Sequence, residues 1–457
     1  YDSAGRPTSR LLYLWDTTSS EYDAKRSGSK APISFPNGSS VGTLYTRAQL
    51  TAELRSKAAR IPATDLNGHG TACAGVAAGN GNNGKDRAEV VGVAPQADLI
   101  AVRVGGTSAG YIENSYLLNA ALGWLDSLPE LRSRPLVVSY SVGGQVYGHD
   151  GNTVEEHQLS ARFSPDRKGR AITIAAGNEG TERIHSEVGF AGTDNKGHVT
   201  WGAPGGGLLQ VYFDNSTCDG IKIIPDPKLD TELRVFGLSV NPLSKKCEAA
   251  VAVSSQRRGG LYLYTLSGRR VIADLYSTVR YPVEFSDESV SYSKLVGMPG
   301  TASNAITVGS YDWNDIFKDF SVRDFCRGDS FMIGGLSCYS SIGYSRNGEV
   351  KPEIVAPGEI YHASYAKLPD GSGVIPMECS SRETGCTPQI FRERFVDASG
   401  NYQLFNGTSA ATPYTAGIIA LVFERRPQLT FGEVRRLLTQ SATADNFTSQ
   451  VPNIKWG

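Results

Sequence analysis

The chain has 457 residues, 40% of them hydrophobic and 20% charged, which is too apolar for a disordered protein and long enough for two or three domains or one large domain with an insertion. With 45 basic and 46 acidic side chains the net charge is -1, so neither nucleic acid nor an anionic membrane surface is an expected partner. The longest strongly apolar run, Ala416 to Phe423, falls far short of the roughly 20 residues that cross a bilayer, and no membrane span is expected.

Leu11 to Trp15 is a continuous apolar run that ends at Asp16, as in a buried strand with an acid at its C-terminal end. A helix is expected over Ala48 to Ala59. Asn67-Gly68-His69-Gly70-Thr71 then opens a run of small residues to Gly79, which predicts a closely packed helix with an imidazole at its mouth. Asp98 to Val104 reads as a second strand, and Tyr111 to Leu128 as a helix with Tyr116, Ala120, Trp124 and Leu128 on one face. Leu136 to Tyr140 and Ala171 to Ala176 are a third and a fourth strand, followed by Ser141-Val142-Gly143-Gly144 and Gly177-Asn178-Glu179-Gly180. Strands that alternate with helices predict an α/β fold on a doubly wound, mainly parallel sheet, whose site lies at the carboxyl ends of the strands.

From Ile184 to Leu295 the helical pattern disappears. Short apolar runs such as Leu208–Phe213, Ala249–Val253 and Gly260–Tyr264 alternate with turn residues, which predicts an inserted all-β segment. The expected boundaries are 1–184 and 296–457 for the two parts of the main domain, with 185–295 inserted between them. Ala305 to Gly309 and Lys351 to Gly358 resume the α/β pattern. A helix that carries Ser409 and Pro413 should end near Pro427. Thr430 and Glu433 then form a capping box, with Leu429 and Val434 as its staple, for a last helix to Ser441.

Proline is tolerated in the first turn of a helix, so Pro413 places Ser409 at or near a helix N-terminus. Taken alone, Ser409 is an ordinary cap. Asp16, His69 and Ser409 together supply an acid, a base and a hydroxyl in the order that neither α/β-hydrolases nor chymotrypsin-like enzymes use. Seven cysteines allow three local pairs, Cys218 with Cys247, Cys326 with Cys338 and Cys379 with Cys386, with Cys73 left over; seven reduced thiols are equally compatible. The paired arrangement would suit a secreted or periplasmic protein.

Trp15-Asp16-Thr17, Asn67-Gly68-His69-Gly70-Thr71, Ala176-Gly177-Asn178-Glu179-Gly180 and Gly407-Thr408-Ser409-Ala410-Ala411-Thr412-Pro413 resemble the motifs of the subtilisin-like serine proteases, over about residues 10–180 and 300–445. The resemblance implies a serine endopeptidase in which Asp16 orients the base His69, Ser409 is the nucleophile and Asn178 donates to the oxyanion. It also implies that Ser141, Val142 and Gly143 on one side, and the Gly105 to Gly110 stretch with Gly105 and Gly106 on the other, flank an extended peptide, while Ala175, Ala176 and Gly177 line a roomy apolar pocket. Thr18 and Ala72 depart from the family pattern at positions expected to bear no chemistry, and Asp65 is expected to be structural.

No organic cofactor is required. The Gly79 to Gly84 loop with Asp86 stands where many of these proteases bind structural calcium, although a solvated loop fits it equally. The β segment resembles, in position and texture, the jelly-roll insert of spore-germination-type members of the family. The chain opens on Tyr1 without a signal peptide, so an upstream segment is expected to have been removed, and such proteases take their own propeptide as a partner besides protein or peptide substrates. Two other uses of the same site are a pseudoprotease that only binds peptides and a transpeptidase (macrocyclase) that passes the acyl group to an amine.

Overall fold

The computed structural model describes residues 5–18, 29–34, 41–56, 61–82, 90–104, 111–202, 205–255, 257–277, 283–313, 332–368, 370–374 and 388–457. They fall into two compact units, one of Tyr1–Ser141, Pro165–Thr173 and Pro357–Val434, the other of Val142–Ser164, Ile174–Ala356 and Arg435–Gly457.

In the first unit, strands β1 (Leu11–Asp16), β2 (Ser29–Lys30), β3 (Thr43–Thr46) and β4 (Leu99–Arg103) form a sheet in the order β2-β3-β1-β4. β1 runs parallel to β4, which sets Asp16 beside Arg103, and antiparallel to β3. β1 is half-buried along most of its length, and becomes fully buried only at Trp15 and Asp16. Trp15 meets the ring of Trp124 edge-on at 5.5 Å and donates its indole N–H to the Val41 carbonyl at 2.7 Å, so its polar atom is satisfied inside the core. The helices are α1 (Arg47–Arg55), α2 (His69–Ala78) and α3 (Tyr111–Ser127), with β5 (Leu136–Tyr140) after them. The small side chains of α2 let Ala72 and Val76 pack against Ala363, with Phe405 and Tyr414 closing the cluster.

The second unit contains α4 (Val154–Arg162), whose N-terminus is closed by a reciprocal pair: Glu156 N–H donates to Thr153 Oγ1 at 3.1 Å, and Thr153 N–H to Glu156 Oε2 at 3.2 Å. β6 (Arg170–Ala175) begins in the first unit and ends in the second. Eight strands follow: β7 (His185–Ala191), β8 (Gly197–Gly202), β9 (Gly205–Phe213), β10 (Ile221–Pro225), β11 (Thr231–Val240), β12 (Cys247–Ser255), β13 (Arg258–Thr265) and β14 (Arg270–Ser277). They form a five-stranded sheet, β11-β12-β9-β14-β7, and a three-stranded sheet, β10-β13-β8, with antiparallel pairing throughout. β12 alternates buried and half-buried residues along its whole length, the period-two pattern of a strand that turns one face to a core. That core takes Phe190, Val211, Phe213 and Val251 from the larger sheet and Trp201, Leu261 and Leu263 from the smaller. Each such aliphatic or Phe side chain, fully buried, contributes about 1.5–3 kcal/mol. A disulfide joins Cys218 to Cys247 at the start of β12, Cys338 is also disulfide-bonded, and Cys73 is a free thiol. Cys326, Cys379 and Cys386 lie outside the described residues. β15 (Ile306–Tyr311), β16 (Gly343–Tyr344), β17 (Val350–Lys351) and β18 (Ile354–Pro357) complete this stretch of chain, and β15 lies between β6 and β18.

Back in the first unit, β19 (Glu359–Ser364) pairs antiparallel with β20 (Tyr402–Asn406), with α5 (Pro388–Phe395) between them in the chain. β20 feeds α6 (Thr408–Arg425), which packs on α2 and β5. The expected capping box opens α7 (Phe431–Ser441), where Thr430 N–H donates to Glu433 Oε2 at 2.8 Å and Glu433 N–H to Thr430 Oγ1 at 3.3 Å.

Candidate active site

Gly407, at φ 103°, turns the chain from β20 into α6, and Ser409 is the second residue of that helix. Pro413 is its sixth, so it sits beyond the first turn where the sequence placed it. Its missing N–H would have bonded the carbonyl four residues back, that of Ser409. The freed oxygen has other donors: Ser141 Oγ at 3.1 Å and Cys73 Sγ at 3.5 Å. Ser409 Oγ in turn donates to the Ser141 carbonyl at 3.4 Å. One turn later Thr412 Oγ1 donates to Thr408 O at 2.7 Å, and Thr173 Oγ1 to Thr412 O at 3.3 Å. The proline therefore does more than fit a helix start: it exposes a carbonyl by which α6 is fastened to Ser141, just after β5, and to α2.

His69 is the first residue of α2, after Gly68 in the left-handed region. The turn before it is wound on Asp65, whose Oδ1 accepts the N–H groups of Asn67 at 3.1 Å and Gly68 at 2.8 Å, and whose Oδ2 accepts the N–H and hydroxyl of Thr71 at 3.0 and 2.7 Å. Burial pushes the Asp65 carboxyl upward, but these bonds from Thr71, Gly68 and Asn67 outweigh it and hold the group below the usual carboxylate range. Asp65 holds this turn together, in keeping with the structural part the resemblance leaves to it. The half-buried His69 ring meets Phe405 edge-on at 5.4 Å, and its Nδ1 lies 3.7 Å from Cys73 Sγ. Burial pushes the Cys73 thiol up to about 12, so it stays protonated and serves as a weak donor to the Ser409 carbonyl. Through Cys73 the structure links the His69 ring to the backbone of Ser409.

Asp16 ends β1 and is 4% exposed. Its Oδ2 is 3.2 Å from Arg103 Nη1, its neighbour in the parallel register, and this cation compensates the buried negative charge. Its Oδ1 accepts the Thr18 N–H at 3.0 Å and the Thr18 hydroxyl at 2.6 Å. Thr18 thus touches the acid directly: a threonine two residues on can return both of its donors to an aspartate.

Of the other expected site residues, Ser141 ends the first unit, while Val142 and Gly143 begin the second, where Gly144 and Met298 exchange two backbone bonds of 3.0 Å. Ala175 and Ala176 are buried at the end of β6, Gly177 turns at φ 111°, and Asn178 is exposed. Gly105 and Gly106 lie outside the described residues, as does Asp86 of the loop considered for calcium. In the described part of that loop Asn82 N–H donates to Asn80 Oδ1 at 3.2 Å. Sequence reading missed the contacts of Arg103 and Thr18 with Asp16 and the fastening role of Ser141. The parallel pairing of β1 and β4 hints at the first, and the proline spacing from Ser409 at the last.

The model of the Subtilase family (Peptidase S8) matches residues 49–212 and 228–455, and the chain belongs to that family. It has the subtilisin-like α/β fold and is a subtilisin-like serine protease, whose substrates are proteins or peptides. It is 30% identical over 360 residues to the serine protease AprX of Bacillus subtilis (strain 168), a match that covers 75% of this chain and 72% of the relative. It is 29% identical over 203 residues to a subtilisin of Bacillus sp. (strain TA39), covering 38% of this chain and 44% of that protein. In fold it is similar to the Clostridium perfringens CspB protease, with a TM-score of 0.67 at 19% identity, over 98% of this chain and 85% of that one. No helix among the described residues is long and apolar enough to cross a membrane.

Proposed function

We propose that the chain hydrolyses peptide bonds through an acyl-enzyme on Ser409. His69 takes the proton of the Ser409 hydroxyl and later returns it to the leaving amine, and Asp16 holds the imidazole in the tautomer this needs. The carbonyl oxygen becomes an oxyanion, which the Asn178 carboxamide and the Ser409 backbone N–H stabilise. The observation that carries the proposal is the anchoring of α6, which holds a serine at a helix N-terminus by its own carbonyl, next to the cysteine that also touches His69. A hydroxyl parked on the Ser141 carbonyl at 3.4 Å is weakly held and can turn to a base.

Ser141, Val142 and Gly143, with Gly105 and Gly106, would pair with an extended substrate, and Ala175, Ala176 and Gly177 would face the side chain before the scissile bond. The eight-stranded stretch within 185–295 is taken as an insertion in the catalytic framework, because its strands surround a core of their own. The reaction proceeds without an organic cofactor, and a structural calcium would act on stability alone. The Cys218–Cys247 disulfide supports work in an oxidising, extracytoplasmic compartment.

Peptide-library cleavage mapped by mass spectrometry, with and without an added amine, tests the reaction. Hydrolysis in wild type, lost in Asp16→Asn, His69→Ala and Ser409→Ala, is the expected result. Amine-capped products in place of hydrolysis would mean a transpeptidase, and binding without cleavage a pseudoprotease.

A further inference from the structure

The Gly177–Gly180 turn is wound around a side chain that plays no part in the reaction as proposed. Glu179 folds back beneath Gly177, where a Cβ would run into both its Oε2 and Ser341 Oγ. Ser341 Oγ donates to Glu179 Oε2 at 3.0 Å and accepts the Glu179 N–H at 3.1 Å. The fully buried Gln145 spans the remaining side: its Nε2 donates to the same Oε2 at 3.0 Å and to the Leu295 carbonyl at 3.0 Å. The backbone closes the clamp, with Ser341 N–H on Gly177 O at 3.0 Å and Gly180 N–H on Tyr339 O at 2.8 Å. Glu179 is half-buried, and burial raises its carboxyl above the usual range against the hydrogen bonds of Ser341, Gln145 and the N–H groups of Asn178 and Glu179.

A surface turn does not need a carboxyl clamped from two distant segments. Two side chains converge on Oε2, Gln145 and Ser341, from 34 and 162 positions away, and the residue they hold is the neighbour of an exposed asparagine. Gln145 stands two residues after Gly143, so the same clamp also joins the turn to the segment proposed to pair with substrate. An amide that stabilises a developing oxyanion must be held to within a fraction of an ångström, since its value lies in not having to reorganise.

We infer that Glu179, gripped by Ser341 and Gln145, is a positioning residue that fixes the Asn178 carboxamide for the transition state. The inference rests on the reading of Asn178 as an oxyanion donor. It predicts that loosening the clamp lowers kcat and leaves KM nearly unchanged, because ground-state binding does not use the amide.

The test is a double-mutant cycle of Asn178→Ala with Ser341→Ala, with Glu179→Ala and Glu179→Gln alongside, followed by kcat, KM and thermal melting. Asn178→Ala should lower kcat about 10²–10³-fold, a magnitude borrowed from subtilisin. Ser341→Ala should lower kcat about 10-fold in wild type and less than about 2-fold once Asn178 is gone, the non-additivity of groups that act as a unit. Glu179→Ala should lose more than Ser341→Ala, and Glu179→Gln, which keeps an acceptor oxygen in place, should recover most of it. If Asn178→Ala leaves kcat intact, the oxyanion assignment itself fails. If Asn178→Ala is slow but Ser341→Ala keeps full kcat, or its loss adds in full to that of Asn178→Ala, the positioning role is overturned while the oxyanion assignment stands. Should Glu179→Ala not fold, the Ser341→Ala arm decides alone.

Discussion

Two polar regions of the molecule are built from different groups and serve different ends. At the mouth of α6 a hydroxyl and a thiol meet one backbone carbonyl and a second hydroxyl meets another. In the second unit the buried Asp274 of β14 is ringed by nitrogens: His185 Nε2, Lys294 Nζ and Arg346 Nε each approach it at 3.0 Å. Arg346 also stands 3.6 Å from Asp150 and lies over the Tyr212 ring at 4.7 Å. Burial pushes the Asp274 carboxyl up, but the bond from His185 and the charges of Arg346, His185 and Lys294 outweigh it and hold it well below the usual range. A histidine beside an aspartate therefore does not define a catalytic site. His185 is fully buried and stacked on Tyr276 at 4.5 Å, where no substrate can reach it, whereas His69 stands half-buried at a helix mouth.

The contrast is broken most severely by exchanging the roles of its two parts. His69→Ala should cost about 10⁶-fold in kcat, the magnitude seen when a triad histidine is removed from subtilisin, with little change in melting temperature. Arg346→Ala should do the reverse. Removing one member of a buried ion cluster destabilises by about 3–5 kcal/mol, read from denaturant midpoints, while kcat of the protein still folded stays at the wild-type value. A large kcat loss in Arg346→Ala without destabilisation would erase the distinction.

A smaller effect sharpens it. The Asp65 carboxyl is lowered in the folded state, so its contribution to stability is fully present above its unfolded value, near about 4, and is lost as the pH falls through the lower folded value. The stability difference between wild type and Asp65→Asn should be constant near neutral pH and close below about pH 4. A gap that widened with acid would reverse the sign argued for this group.

Much of this organisation is legible in the chain. Apolar runs of strand length mark β1, β4, β5, β6, β9, β12 and β13, and glycines beside His69 and before Ser409 mark the two helix mouths. What escapes the sequence is contact at long range. Arg103 meets Asp16 across 87 positions, Ser341 meets Glu179 across 162 and Ser141 meets Ser409 across 268, and no local pattern encodes such pairs. Pro413 shows an intermediate case. The rule about proline in helices locates the helix start to within a turn, but the use made of the freed carbonyl depends on Ser141 and Cys73 arriving from elsewhere.

The central claim is that Ser409 is an activated nucleophile. Intact-mass spectrometry of the folded protein after exposure to a fluorophosphonate probe measures this directly. One adduct per chain, mapped to Ser409, absent in Ser409→Ala and greatly slowed in His69→Ala, is the predicted result; no adduct on the natively folded chain would contradict it.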